Sequence, residues 1–318
     1  MAKISVAFPV YNEEGNLKPL YAEVKQALSP AAEEYELIFV DNGSTDGSLR
    51  IIRELAAQDS RIRYISLSRN FGHQNALVAG MSRATGDAVI TMDADLQHPA
   101  QIIPQMIERW KSGFEVVYTI KKDLGLPMLH GVLVKSFYAV VSKFSGMVLN
   151  LGESDFRLLD RKVVDAIVAI PEYHKFLRGL VKWVGFKQCG LEYSVRPRLS
   201  GHSKFSYRKL VFFALDGIFS FSRYPLRIVT FMSLVVAFLS FLYILFVLTL
   251  EFLKLTGAPI QMPLPPGWAT LAVSVFFLGS TQLVVIGILG EYIGRLFVQT
   301  KGRPPFIVRE SGGNEPRG

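Results

Sequence analysis

Three short acidic islands each close an apolar run within the first hundred residues, and this arrangement narrows the fold more than any other feature of the chain. They are Pro9-Val10-Tyr11-Asn12-Glu13-Glu14, Asp41-Asn42-Gly43-Ser44-Thr45-Asp46-Gly47 and Asp93-Ala94-Asp95-Leu96-Gln97. The runs before them, 4–9, 35–40 and 87–92, read as buried strands, and 62–67 and 115–120 read the same way. Amphipathic stretches of helix length, 14–28, 48–58, 73–84 and 100–111, fall between. That alternation predicts βα units and an α/β fold with a mainly parallel sheet. Thr45 or Asp46 is placed to cap the second helix, and Pro99 sits near the first turn of the fourth.

The third island carries the chemistry. Asp93 and Asp95, with the Gln97 carboxamide two residues on, offer hard oxygen ligands of the kind Mg²⁺ or Mn²⁺ takes. Two carboxylates just beyond a buried strand would repel one another without a cation. In an open α/β sheet, groups at the carboxyl ends of strands lie where such folds bind nucleotides. His73 and His98 have no partner at metal-ligand spacing and read as polar contacts, not zinc ligands. Cys189, the single cysteine, excludes an internal disulfide framework, fits a reducing compartment and reads as a packing residue.

Further along, 228–250 and 268–290 are each 23 residues without a charge. A helix of that length extends about 34 Å, enough to cross the hydrocarbon layer, so two transmembrane helices are expected. Arg223 and Arg227 precede the first; Arg295, Lys301 and Arg303 follow the second; the loop 251–267 has only Lys254 on the positive side. The asymmetry places the N-terminal region and both termini in the cytoplasm, at the inner (plasma) membrane. The first residues run straight into a strand and do not resemble a signal peptide. Segment 126–151, with Lys135 and Lys143 and no acidic residue, reads as interfacial or as a core helix with solvated lysines, while 205–227 reads as a juxtamembrane amphipathic helix. The expected plan is a catalytic domain over 1–204, the two spans, and a tail over 291–318 that is mobile beyond Val308. A net charge of +8 suits an anionic membrane face, anionic substrates or nucleic acid, and no nucleic-acid motif accompanies it.

Taken in order, the three islands resemble those of the inverting family-2 glycosyltransferases, which have a Rossmann-like GT-A fold. The chain is similar, more narrowly, to the polyprenyl-phosphate glycosyltransferases, the group that includes dolichol-phosphate mannose synthase and bactoprenol glucosyltransferases. The resemblance implies that Asp41 and the loop with Pro9, Tyr11, Asn12 and Glu13 hold the base and ribose of a nucleotide sugar. It also implies that Asp93, Asp95 and Gln97 hold the Mg²⁺ or Mn²⁺ ion and the diphosphate, with Asp95 essential to catalysis.

Two later segments resemble the family's acceptor side: Glu153-Ser154-Asp155-Phe156-Arg157 on to Arg161, and the stretch from Arg196 to Phe205, which includes Arg198, Ser203 and Lys204. In many members a carboxylate near Asp155 acts as the base. Here the acceptor would be a phosphate monoester, whose second pKa of about 6 leaves it largely ionised at neutral pH. It needs cationic positioning more than deprotonation, so Asp155 is expected as base or as orienter of a cation. Arg157, Arg178, Arg198 and Lys204 suit that positioning; Lys121 and Lys135 are added from the family layout. The resulting expectation is inverting transfer of glucose from UDP-glucose to a polyprenyl phosphate at the membrane, by a chain whose oligomeric state is open and could be a homo-oligomer. GDP-mannose or a UDP-linked aminoarabinose donor, a polysaccharide acceptor, and a non-catalytic nucleotide-sugar-binding scaffold are the alternatives. A polymerase is disfavoured by the missing Gln-x-x-Arg-Trp loop and too few spans for a channel.

Overall fold

All five expected strands form, and each island lies just past a strand's carboxyl end or on its last residue. The computed structural model describes residues 2–122, 152–173, 175–194, 224–256 and 267–313. Strand β1 (Lys3–Val10) pairs in parallel with β2 (Glu34–Asp41) on one side and β4 (Ala88–Thr91) on the other; β2 pairs in parallel with β3 (Ile62–Leu67). Because these four run in one direction, their carboxyl ends share one edge of the sheet.

The expected helices follow the expected strands: α1 (Leu17–Leu28), α2 (Ser48–Gln58), α3 (His73–Arg83) and α4 (Ile103–Lys111), the last preceded by a 3-10 turn at Ala100–Ile102. Gly47 is the residue before α2, and Asp46 instead accepts from the Ser48 amide at 3.0 Å and the Glu14 amide at 3.2 Å. Helix α5 (Arg161–Ala169) is capped by Asp160 through the Lys162 amide, and α6 (Leu177–Trp183) follows.

The far side of the sheet departs from a simple parallel pattern. Strand β6 (Glu153–Asp160) inserts antiparallel between β4 and β5 (Val116–Lys121), and β7 (Gln188–Tyr193) lies parallel to β5. A further strand, β8 (Val308–Gly313), pairs antiparallel with β3. The tail expected to be mobile beyond Val308 therefore supplies the eighth strand, giving the order β7-β5-β6-β4-β1-β2-β3-β8.

Both faces are covered, which is why the central strands read as continuous apolar runs. Ile4, Val6, Phe8, Leu37 and Phe39 pack under α1, α2 and α4; Ile38, Val40, Ile65 and Leu67 pack under α3, α5 and α6. Phe8 and Phe39 stack with ring centroids 4.9 Å apart. Burying side chains of this size contributes about 1.5–3 kcal/mol each. On the opposite face, a Cβ on Gly80 would come within 2.8 Å of the Ala7 Cβ, so this glycine lets α3 lie close on β1.

The chain divides into two units, Met1–Gly217 with Arg303–Gly318, and Ile218–Gly302. The second unit holds α7 (Tyr224–Leu255) and α8 (Gly267–Thr300). Among the described residues one helical stretch, Ser274–Thr300, is long and apolar enough to cross a membrane; Val229–Tyr243 is a shorter apolar stretch. Helix α8 runs ten residues beyond the expected end of the second uncharged run at 290. Phe231, Phe238, Phe276 and Leu283 are exposed on these helices. Segment 126–151, residues 205–223 and the centre of the loop at 257–266 lie outside the described residues.

Candidate active site

The first two islands are knitted to each other. Asn12 adopts a left-handed backbone (φ 56°), and its side-chain oxygen accepts from the Thr45 amide at 2.8 Å. The Asn12 amide donates to Ser44 Oγ at 3.1 Å and the Glu13 amide to Ser48 Oγ at 2.9 Å. Glu13 accepts from Asn16 at 2.6 Å. Tyr11 stands 38% exposed at the mouth, while Pro9 is buried within β1.

Asp41, the last residue of β2, is buried and anchors its own loop. One carboxylate oxygen accepts from the Ser44 amide at 3.0 Å and the other from Ser66 Oγ at 2.8 Å. Its neighbour Asn42 binds the loop that leads into α3, accepting from the Phe71 amide at 2.9 Å and donating to Asn70 at 3.2 Å. Gly43 makes that approach feasible, because its φ is +73° and a Cβ there would lie 2.7 Å from the Arg69 carbonyl carbon. Thus the loop entering α3 is tied to the second island.

In the third island burial alternates residue by residue. Met92, Ala94, Leu96 and His98 are buried, and Asp93, Asp95 and Gln97 are half-buried on the other side. The chain turns at Leu96, which has a left-handed φ of 61°, and the Gln97 amide donates back to Asp95 Oδ1 at 3.2 Å. Asp93 lies between two imidazoles: His73 Nε2 is 3.3 Å from its Oδ1 and His98 Nε2 is 3.1 Å from its Oδ2. Burial alone would raise this carboxyl; His73 and His98 outweigh it and hold the group down at about 2.

The residues of this motif fit a divalent ion. Asp93 Oδ1 is a buried oxygen with no hydrogen-bond partner, the condition an incoming cation would relieve. Among the described residues no three of His, Cys, Asp and Glu converge as a ready-made chelate. Two carboxylates and a carboxamide match an ion of the Mg²⁺ class, which keeps positions for substrate phosphate and water.

Strand β6 carries the second half of the site. Its alternate residues Glu153, Asp155 and Arg157 are buried on the face covered by α3 and α6. Asp155 accepts from Arg178 through both carboxylate oxygens, at 3.0 and 2.9 Å, and from Arg157 at 3.4 Å. Gln74 of α3 reaches it at 3.4 Å and His73 lies 3.9 Å away. Burial opposes ionisation here too, but Arg178 and Arg157 hold the Asp155 carboxyl well below the usual carboxylate range. Such an acid is a weak base at neutral pH and a strong anchor for two guanidiniums.

Lys182, one helical turn after Arg178, pairs with Glu153 at 2.7 Å. Arg157 is buried, which lowers its pKa, and its Nε and Nη1 have no hydrogen-bond partner.

Of the residues expected on the acceptor side, Arg157 and Arg178 meet at Asp155, on the same edge as Asp93. Lys121 ends β5, in register with Tyr193. Lys135, Arg198, Ser203 and Lys204 lie outside the described residues. Sequence reading passed over Gln74 and Lys182. It took His73 and His98 as polar contacts, which they are, without naming Asp93 as their shared partner. It named Glu153 within the acceptor-side segment without giving it a role. For His98 a signal existed, since it continues the alternation of the third island on the buried side.

The glycosyl transferase family 2 model matches residues 5–125. A glycosyltransferase of Synechocystis sp. is 38% identical over 314 residues, covering 98% of this chain and 96% of its own. A prophage-derived bactoprenol glucosyl transferase of Shigella flexneri is 39% identical over 317 residues, covering 99% of this chain and 100% of its own. Among solved structures, a mannosyltransferase from Pyrobaculum calidifontis in complex with GDP-Man and Mn²⁺ superposes with a TM-score of 0.50 at 16% identity, over 69% of this chain and 63% of that one. That likeness speaks to the fold, a GT-A-like α/β domain. With identity near two in five sustained from end to end, the chain belongs to glycosyl transferase family 2 and is a glycosyltransferase.

Proposed function

We propose that this enzyme transfers a hexose, glucose from UDP-glucose, to a polyprenyl phosphate with inversion at the anomeric carbon. The observation that carries the reading is the meeting of Arg157 and Arg178 at Asp155, within 3.9 Å of an imidazole that also touches Asp93. An anion-positioning bed thus adjoins a carboxylate motif suited to a cation. The relatives named for bactoprenol glucosyl transfer support the lipid acceptor.

In this reading Pro9, Tyr11, Asn12, Glu13 and Asp41 frame the nucleotide, and Asp93, Asp95 and Gln97 hold Mg²⁺ or Mn²⁺ and the diphosphate. Once bound, the ion would stabilise the charge that develops on the departing diphosphate. Arg157, Arg178, Arg198, Ser203, Lys204, Lys121 and Lys135 receive the acceptor phosphate. An oxygen of that phosphate forms the new bond to the anomeric carbon as the bond to the nucleoside diphosphate breaks. Asp155 keeps Arg157 and Arg178 aimed at the incoming anion, because it is too well paired to take a proton.

The membrane arrangement follows. Runs 228–250 and 268–290 cross the plasma membrane, the domain over 1–204 faces the cytoplasm with both termini, and 126–151 and 205–227 rest at the interface. The exposed apolar side chains of α7 and α8 support lipid contact.

The test is direct. Membranes holding the protein are incubated with polyprenyl phosphate, Mn²⁺ and, separately, labelled UDP-glucose, GDP-mannose and a UDP-aminoarabinose, then extracted with organic solvent. Label from UDP-glucose in the lipid phase is the expected result. Label in lipid from another donor alone overturns the sugar assignment; label in no lipid extract overturns the acceptor assignment.

A further inference from the structure

His98 belongs to none of the roles assigned so far, yet it is 2% exposed and both ring nitrogens are engaged. Its Nδ1 lies 2.8 Å from the Tyr193 hydroxyl, its Nε2 3.1 Å from Asp93 Oδ2, and Ser154 Oγ is 3.5 Å from Nε2. The ring packs against Phe156 at 5.2 Å and Tyr193 at 5.7 Å between centroids, and those two rings meet edge-on at 6.4 Å. An imidazole boxed in this way cannot rotate without leaving a buried polar group unpaired, which is costly.

The partners fix its hydrogen. Burial pushes the Tyr193 phenol up to about 12, so its hydroxyl stays protonated and can donate to Nδ1. Nε2 then carries the ring proton and donates to Asp93 Oδ2. The carboxylate is pinned through that oxygen, and the other, Oδ1, is buried and accepts no hydrogen bond, with His73 Nε2 facing it at 3.3 Å. Groups behind a metal ligand commonly set its orientation in this manner.

We propose that His98 is a positioning residue: held by Tyr193, it fixes the rotation of Asp93 so that the second carboxylate oxygen, Oδ1, is presented to a divalent cation. The inference rests on the reading that Asp93 is a ligand of that ion.

The two carboxamide replacements separate positioning from packing. In His98→Gln the side-chain amide can reach the Nε2 position and donate to Asp93. In His98→Asn it reaches only the Nδ1 position beside Tyr193. Mn²⁺ binding is measured on the full chain in detergent, with no donor or acceptor, from the paramagnetic resonance of the free ion. His98→Asn is expected to weaken Mn²⁺ about 10–100-fold, and His98→Gln to stay within about threefold of wild type. The apparent KM for Mn²⁺ should rise in parallel while kcat at saturating Mn²⁺ is largely recovered. Should His98→Asn fail to fold, Tyr193→Phe decides, with at least about threefold weaker Mn²⁺ binding expected.

If both carboxamide variants (or Tyr193→Phe in their place) bind Mn²⁺ like wild type while Asp93→Ala loses it, the positioning role is overturned and the ion site stands. Equal loss in the Gln and Asn variants also overturns it, since packing alone would then explain the effect. If Asp93→Ala binds Mn²⁺ unchanged, the ion site itself is wrong and the inference falls with it.

Discussion

Asp155 decides how the proposed acceptor side works at the scale of single residues. It is buried, paired in both directions with Arg178, and bonded to Arg157. Removing its charge breaks a buried pairing and leaves Arg157 with Glu153, 3.7 Å away and shared with Lys182, so Asp155→Asn should cost about 3–5 kcal/mol at neutral pH. The folded-state value of this carboxyl is depressed. Its contribution is therefore complete above the unfolded value of about 3.9 and is lost as pH falls toward the folded value. Thermal melts should show the gap between wild type and Asp155→Asn narrowing on acidification below about pH 4. A gap that widens there would contradict the ionised, paired state.

Arg178 gives a second prediction at this scale. Its Nε and Nη2 make parallel bonds that a lysine cannot reproduce. Arg178→Lys should raise the acceptor KM about tenfold or more and leave nucleotide affinity within about threefold, as lost charge-assisted hydrogen bonds imply. Initial-rate kinetics with each substrate varied separately would check this. An equal loss for both substrates would place the residue on the donor side.

Legibility at this scale followed distance along the chain. Asp93, Asp95 and Gln97 were readable because their chemistry is local: carboxylates just after a buried strand. His98 was readable as a polar contact, but its partner Tyr193 was not, because that hydroxyl lies 95 positions away. His73 was likewise read as a polar contact without its partners, since those carboxylates come from β4's loop and from β6.

At the scale of elements, five strands announced themselves by continuous apolar runs and β6, β7 and β8 did not; β6 and β8 are the clearest cases. Five of the eight residues of β6 are polar or charged, and β8 has the sequence Val-Arg-Glu-Ser-Gly-Gly. What makes them strands is pairing with distant partners, β4 and β5 for one and β3 for the other. The polar face of β6 carries Glu153, Asp155 and Arg157, the cluster proposed for the acceptor side, so the pattern broke at a buried polar cluster.

Two expectations belong to this scale. Gly80→Val should force α3 off β1, given a 2.8 Å approach to Ala7, and cost about 1–3 kcal/mol in denaturant unfolding. A neutral result would mean that α3 has room to spare. Truncation after Phe306 removes β8 and uncovers the edge of β3, whose Ser66 holds Asp41. Amide hydrogen exchange in β3 should then accelerate, whereas unchanged protection would mean β8 contributes little to the sheet.

At the scale of the whole molecule, the two units present different surfaces. The sheet unit buries its apolar strands, while α7 and α8 expose phenylalanine and leucine side chains over lengths of 32 and 34 residues. In a two-span arrangement, reporters fused to each terminus should be equally protected from an external protease. Opposite protection would leave an odd number of crossings and contradict the topology.

The central claim is that the Asp93-Ala94-Asp95-Leu96-Gln97 motif seats the ion that holds the donor diphosphate, beside the cations gathered on Asp155. Anomalous diffraction from crystals grown with Mn²⁺ and UDP tests it most directly. The account predicts a manganese peak within bonding distance of Asp93 or Asp95 and touching the diphosphate. A peak elsewhere, with both carboxylates unligated and nucleotide bound, would contradict it.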